Sequence, residues 1–124
     1  MKLLKVLIVD DSLITVKKLT VMLEALGHRV VATADTGAHA LTAYRESKPD
    51  LVTMDITMPD MDGVEATRQI VKEFPNAAII MVTSHGQEKM VIDALDAGAR
   101  GYVLKPVRQE KVAEMIAKVM SRLA

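Results

Sequence analysis

Five short apolar runs recur along the chain, at Val6-Leu7-Ile8-Val9, Val30-Val31-Ala32, Leu51-Val52-Thr53-Met54, Ala78-Ile79-Ile80-Met81-Val82 and Tyr102-Val103-Leu104. They are rich in β-branched residues, and most do not alternate with polar ones. Strands read this way when both faces of a parallel sheet are covered. The intervening stretches carry helical spacing. Leu13, Val16, Leu19, Leu23 and Leu26 make one stripe, closed by Gly27. Ala38, Leu41 and Tyr44 make a second, stopped before Pro49, and Val64, Thr67, Ile70 and Phe74 a third, stopped by Pro75. The fourth helix is expected to start at Ser84-His85-Gly86-Gln87, where Ser84 and Gln87 have capping-box spacing. It carries Met90, Val91, Ala94 and Leu95 and is closed by Gly98. The fifth runs from about Gln109 to Leu123, with Val112, Met115, Ile116, Val119, Met120 and Leu123 on one face.

Strand and helix alternate five times, with no linker, repeat or low-complexity tract. This pattern predicts an α/β fold, in which right-handed crossovers set helices on both faces of a parallel sheet. At 124 residues the chain is expected to be a single (βα)5 domain spanning 1–124. Sixteen basic residues balance 16 acidic ones, which argues against direct nucleic-acid binding by bulk charge. The absence of Cys excludes a disulfide framework, a thiolate metal site and a Cys nucleophile. The apolar runs fall well short of the roughly 20 residues of a membrane helix, so no membrane insertion is expected. Met1-Lys2-Leu3-Leu4-Lys5 lacks a cleavage site, and the expected location is cytoplasmic.

The chemistry lies at the strand ends. Ligands of such sheets bind beyond the carboxyl ends of the strands. Those ends read Asp10-Asp11, Thr33-Ala34-Asp35, Asp55, Thr83-Ser84 and Lys105-Pro106. Only the second is undistinguished. Three carboxylates crowded on one rim oppose joint ionisation, so either a carboxyl is driven neutral or a cation joins them. Oxygen donors without Cys or nearby His suit a hard ion, foremost Mg²⁺. A carboxylate beside such an ion can attack phosphorus and become an aspartyl phosphate. Lys105 offers a compact positive charge for phosphoryl oxygens, and Thr83 a hydroxyl donor. Lys105-Pro106 is a candidate cis peptide that would turn Lys105 inward.

These blocks, together with Asp50 to Gly63, which includes Met58-Pro59-Asp60-Met61-Asp62-Gly63, and with Ala97-Gly98-Ala99-Arg100-Gly101 before the last strand, resemble the receiver domain of bacterial response regulators. The likeness spans essentially the whole chain and is greatest to the single-domain chemotaxis regulators. It implies a flavodoxin-like, doubly wound parallel sheet with strand order 2-1-3-4-5. It implies Asp55 as phospho-acceptor, and Asp10, Asp11, Asp55 and the backbone carbonyl of Thr57 as the Mg²⁺ site. Lys105 would contact the phosphoryl group, Thr83 would donate to it after turning inward, and Tyr102 would be the aromatic that moves with Thr83. The implied donor is a phosphohistidine on a sensor histidine kinase. The implied output runs through the face of helix 4, strand 5 and helix 5 to a downstream protein, the flagellar motor switch being one candidate, with a phosphatase as a further partner.

Three positions depart from the familiar chemotaxis pattern. Thr57 replaces a frequent Asn two residues past Asp55, and His85 stands two residues past Thr83. Both would overlook the phosphoryl group and tune its lifetime. Val107 takes the place of a Phe often found after Lys-Pro. Among the polar residues outside the rim, His28 and His39 read as surface positions, Asp60 as a solvated loop residue and Asp62 as a cap for the third helix. Gly63 and Gly101 read as relief of backbone crowding. A Mg²⁺-dependent phosphatase working through an aspartyl phosphate is the main rival, yet its usual Asp-x-Asp pair is absent and no cap domain would hold a substrate. A flavin or nucleotide binder would need a Gly-rich phosphate loop and ring-stacking aromatics, of which the chain has only two Tyr and one Phe. A receiver excised from a longer regulator is a further alternative.

Overall fold

The computed structural model describes residues 3–84 and 88–123. Its strands are β1 (Lys5–Val9), β2 (Arg29–Ala34), β3 (Leu51–Asp55), β4 (Ile79–Thr83) and β5 (Gly101–Leu104). The helices between and after them are α1 (Leu13–Ala25), α2 (Gly37–Ser47), α3 (Gly63–Glu73), α4 (Glu88–Ala97) and α5 (Gln109–Leu123). All strand pairs are parallel, in the order β2-β1-β3-β4-β5. The expected flavodoxin-like sheet is present, and β2 is longer than its apolar run of Val30 to Ala32 suggested.

Strand alternation divides the core in two. Leu7, Val9, Val52, Met54, Ile79 and Met81 pack with Ala40 and Ala43 of α2, Ala66 and Ile70 of α3, and Ala94 of α4. Val6, Ile8, Leu51, Ile80, Val82 and Val103 pack with Leu19 and Leu23 of α1 and Val112, Ile116 and Val119 of α5. With both faces covered, the central strands need no polar alternation, which is why they read as continuous apolar runs.

Local chemistry sets the helix ends. Ser12, Thr36 and Asp62 take extended backbone and accept from the N–H groups of Thr15, His39 and Glu65, starting α1, α2 and α3. Gly27 and Gly98 adopt φ of +90° and +116°, left-handed conformations that end α1 and α4. Asp62 thus caps α3 as expected. The proposed capping box of α4 involves Gln87, which lies outside the described residues.

Three expectations are corrected. Leu13 is 76% exposed, because the first turn of α1 overhangs the ends of the strands and has no sheet beneath it. The buried stripe of α2 is Gly37, Ala40 and Ala43, one position off the expected one; Leu41 and Tyr44 flank it, and the Tyr44 ring packs tilted against Phe74 with centroids 4.7 Å apart. His28 is buried, not a surface residue; its Nδ1 accepts the Leu4 N–H at 3.2 Å. His39 is exposed as expected, with Nδ1 3.7 Å from Asp35.

Candidate functional site

Parallel strands in this order bring the carboxyl ends of β1, β3, β4 and β5 to one rim. Asp10 directly follows β1, its N–H donating to the Ala34 carbonyl at 2.9 Å. Its Oδ1 accepts the Ser12 N–H at 2.8 Å, which turns the chain into α1. Asp55 is the last residue of β3. Lys105 follows β5, its N–H donating to the Thr83 carbonyl at 2.8 Å, and the Lys105–Pro106 bond is cis, as the sequence suggested.

Alternation places Asp55 on the same side of the sheet as Leu51, and Lys105 on the same side as Val103, the side covered by α1 and α5. Carboxylate oxygens of Asp10, Asp11 and Asp55 lie within 4.8 Å of one another. Asp10 and Asp55 are buried, whereas Asp11 is exposed. Lys105 Nζ is 3.1 Å from Asp10 Oδ2 and 3.5 Å from Asp55 Oδ1. Burial pushes the Asp55 carboxyl up to about 6, helped by the negative charges of Asp10 and Asp11 and opposed by the Lys105 ammonium. The Lys105 ammonium thus meets two of the three clustered carboxylates. Asp10 Oδ2 is buried and makes no hydrogen bond among the described residues; the ion pair with Lys105 is its compensation. An all-oxygen set with surplus negative charge and an under-satisfied buried oxygen fits a hard divalent cation such as Mg²⁺.

Thr83 and Tyr102 occupy the opposite side of the sheet. Thr83 continues the alternation of Ile79 and Met81 and is buried. Tyr102 is 40% exposed. Both line a narrow apolar pocket shared with Ile56, Val91, Ala94 and Leu95, too tight to admit a water molecule. Thr57 is exposed beside the acidic rim. His85 lies outside the described residues.

The loop after Asp55 is tightly tied. Gly63 N–H donates to the Ile56 carbonyl at 2.6 Å, and a Cβ on Gly63 would run into the Asp55 carbonyl oxygen, so only Gly allows α3 to approach the acceptor strand this closely. Asp60 is not merely solvated. Its Oδ1 and Oδ2 accept the N–H groups of Gly37 and Ala38 at 2.8 and 2.9 Å, which holds its carboxyl below the usual range. These donors are 23 and 22 residues away, so no local spacing betrays the contact.

The sequence matches the model of the response regulator receiver domain over residues 6–117. It is 44% identical over 117 residues to the chemotaxis protein CheY of Bacillus subtilis (strain 168), covering 94% of this chain and 98% of that protein. Identity to the chemotaxis protein CheY of Thermotoga maritima is also 44%, over 115 residues, covering 93% and 96% of the two chains. The fold superposes with a TM-score of 0.90 on CheY from a crystal structure of the Borrelia burgdorferi CheX–CheY complex with BeF3 and Mg²⁺, at 39% identity and with 94% and 88% of the chains covered. With this fold, this acidic rim and these relatives, the chain belongs to the response regulator receiver domain family, the signalling switches of two-component systems.

Proposed function

We propose that the chain, as one receiver domain over 1–124, takes a phosphoryl group onto Asp55 from a phosphohistidine of a sensor histidine kinase and thereby switches partner binding in chemotaxis. The observation that carries this reading is the meeting of Asp10, Asp11 and Asp55 with Lys105 at one rim. An Asp55 carboxylate oxygen attacks phosphorus, the P–N bond breaks, and its electron pair leaves with the imidazole. Asp10, Asp11, Asp55 and the backbone carbonyl of Thr57 would hold Mg²⁺. When bound, the ion offsets the negative charge that keeps nucleophile and phosphoryl group apart. Lys105 moves from the Asp10–Asp55 pair to the new phosphoryl oxygens, and Asp10 holds it near them until then. Loss of the phosphoryl group proceeds by attack of water, a self-catalysed step on which the side chains of Thr57 and His85 act.

Thr83 donates its hydroxyl to the phosphoryl group by turning away from the pocket it shares with Tyr102, and Tyr102 follows into the space released. The readout is the α4–β5–α5 face, where Tyr102, Leu104, Pro106, Arg108, Lys111 and Met115 line a groove of about 520 Å³. Its downstream partner is a protein, the flagellar motor switch being the candidate suggested by the chemotaxis relatives. The relative solved with CheX supports a second partner, which we read as a phosphatase. No helix among the described residues is long and apolar enough to cross a membrane, and the chemotaxis relatives support a cytoplasmic role. Incubation with acetyl phosphate, with and without Mg²⁺, tests the site. A Mg²⁺-dependent mass gain of one phosphoryl group, abolished in Asp55→Asn, is expected. A gain that survives Asp55→Asn overturns the assignment, and sustained turnover of small phosphate esters would mark a phosphatase instead.

A further inference from the structure

The segment between Asp55 and α3 is fastened at three points. At its base, Gly63 N–H donates to the Ile56 carbonyl at 2.6 Å. At its far end, Asp62 Oδ1 accepts the Glu65 N–H at 2.8 Å and starts α3. Between them, Asp60 takes the two leading N–H groups of α2, from Gly37 and Ala38, on separate carboxylate oxygens at 2.8 and 2.9 Å. Met61 closes the joint: a Cβ on Gly37 would run into its side chain. Helix α2 does not need Asp60 to begin, since Thr36 already caps it by accepting the His39 N–H at 3.1 Å. The Asp60 contact is therefore a tie between a helix end and the loop that carries Thr57.

We propose that Asp60 is a positioning residue for the acidic rim: by clamping the 56–63 loop to the first turn of α2, it fixes the Thr57 backbone that completes the cation site. This inference rests on the function proposed above. A loop cut free at Asp60 keeps its two anchored ends but samples several arrangements of its middle, and each arrangement that misplaces an oxygen donor lowers cation affinity. By reciprocity, a cation bound at the rim tightens the Asp60 tie.

The experiment compares wild type, Asp60→Ala, Asp60→Asn and Thr36→Ala, all well below their unfolding temperatures. Mg²⁺ binding is followed by titration calorimetry, and amide hydrogen exchange is read at Gly37 and Ala38. Asp60→Ala is expected to weaken Mg²⁺ binding roughly tenfold, and Asp60→Asn, which keeps one acceptor, to recover part of it. Thr36→Ala removes the cap of α2 itself and should lose stability without changing Mg²⁺ affinity. In the wild type, Mg²⁺ should slow exchange at Gly37 and Ala38, a readout that requires no variant. Wild-type Mg²⁺ affinity in Asp60→Ala, or equal weakening by Thr36→Ala, overturns the positioning role while leaving the proposed function intact. Failure of the wild type to bind Mg²⁺ overturns the proposed function itself, and this inference with it.

Discussion

Lys105 stands nearer to Asp10 than to Asp55, with Nζ at 3.1 Å from Asp10 Oδ2 and 3.5 Å from Asp55 Oδ1. The ammonium is thus retained at the rim by a carboxylate that is not itself the proposed acceptor. Lys105→Met keeps most of the aliphatic stem and removes the charge. Asp55 then loses the group that holds its carboxyl down, so its titration, followed by carbon NMR, should move above about 6. Phosphorylation by acetyl phosphate should slow by a factor of about 100 or more, the effect of removing one well-placed electrostatic contact.

Asp55 also governs stability without Mg²⁺. Its native carboxyl is raised from 3.8 to about 6, so the folded state binds this proton more tightly than the unfolded chain. The resulting stabilisation is complete below pH 3.8, falls as pH rises, and is gone above about 6. The neutral variant Asp55→Asn escapes the loss. In EDTA at pH 8 it should be more stable than wild type by about 3 kcal/mol, with the gap closing toward pH 4 in urea titrations. Mg²⁺ at ten times its dissociation constant should return about 1.4 kcal/mol to the wild type.

His28 acts in the opposite sense. Its Nδ1 accepts from Leu4, so the neutral ring carries its proton on Nε2. Burial lowers its value below the ordinary 6.5. Its contribution is present above 6.5 and lost as pH falls through the depressed native value. Protonation would aim a second N–H at the Leu4 donor. His28→Asn offers an acceptor near Nδ1 that does not titrate. Placed in an Asp55→Asn background, it should flatten the loss of stability as pH falls below 6.5.

Thr53 sits in mid-sheet with a buried Oγ1 that has no hydrogen-bond partner among the described residues. Val has nearly the same shape and no hydroxyl to leave unsatisfied. Thr53→Val should stabilise the domain by about 1 kcal/mol, measured as a shift of the urea midpoint at unchanged slope.

Gly63→Ala should destabilise the fold by at least about 3 kcal/mol. The added methyl meets backbone, the Asp55 carbonyl oxygen, which cannot swing aside as a side chain would. Displacement of the β3 end should also show in the amide resonances of Asp55 and Ile56.

The sheet and its rim were readable because their causes are local or topological. Apolar runs such as Leu51 to Met54 mark strands covered on both faces, and parallel strands carry Asp10, Asp55 and Lys105 to one end wherever the chain wanders between. The missed features depend on where a helix ends in space. The Leu13 side chain obeys the helical period yet finds no sheet under the first turn. Ala40 and Ala43 carry less hydrophobic weight than Leu41 and Tyr44, yet their small side chains let α2 sit down on the sheet. His28 is enclosed only when Leu4 comes alongside it, and the Asp60 contacts join groups more than 20 residues apart.

The division of the core by the sheet gives the molecule a wall. Charge chemistry is confined to the α1–α5 side, while the Thr83–Tyr102 pocket opens toward α4. In the proposed switch an event at Asp55 reaches the far side over the top of the sheet, at the final residues of β4 and β5 and through the loop that follows β3. Substitutions deep in either core layer leave that crest intact, so they are expected to change stability more than switching. In that proposed switch, the few residues that crest the wall carry an event on one side to the other.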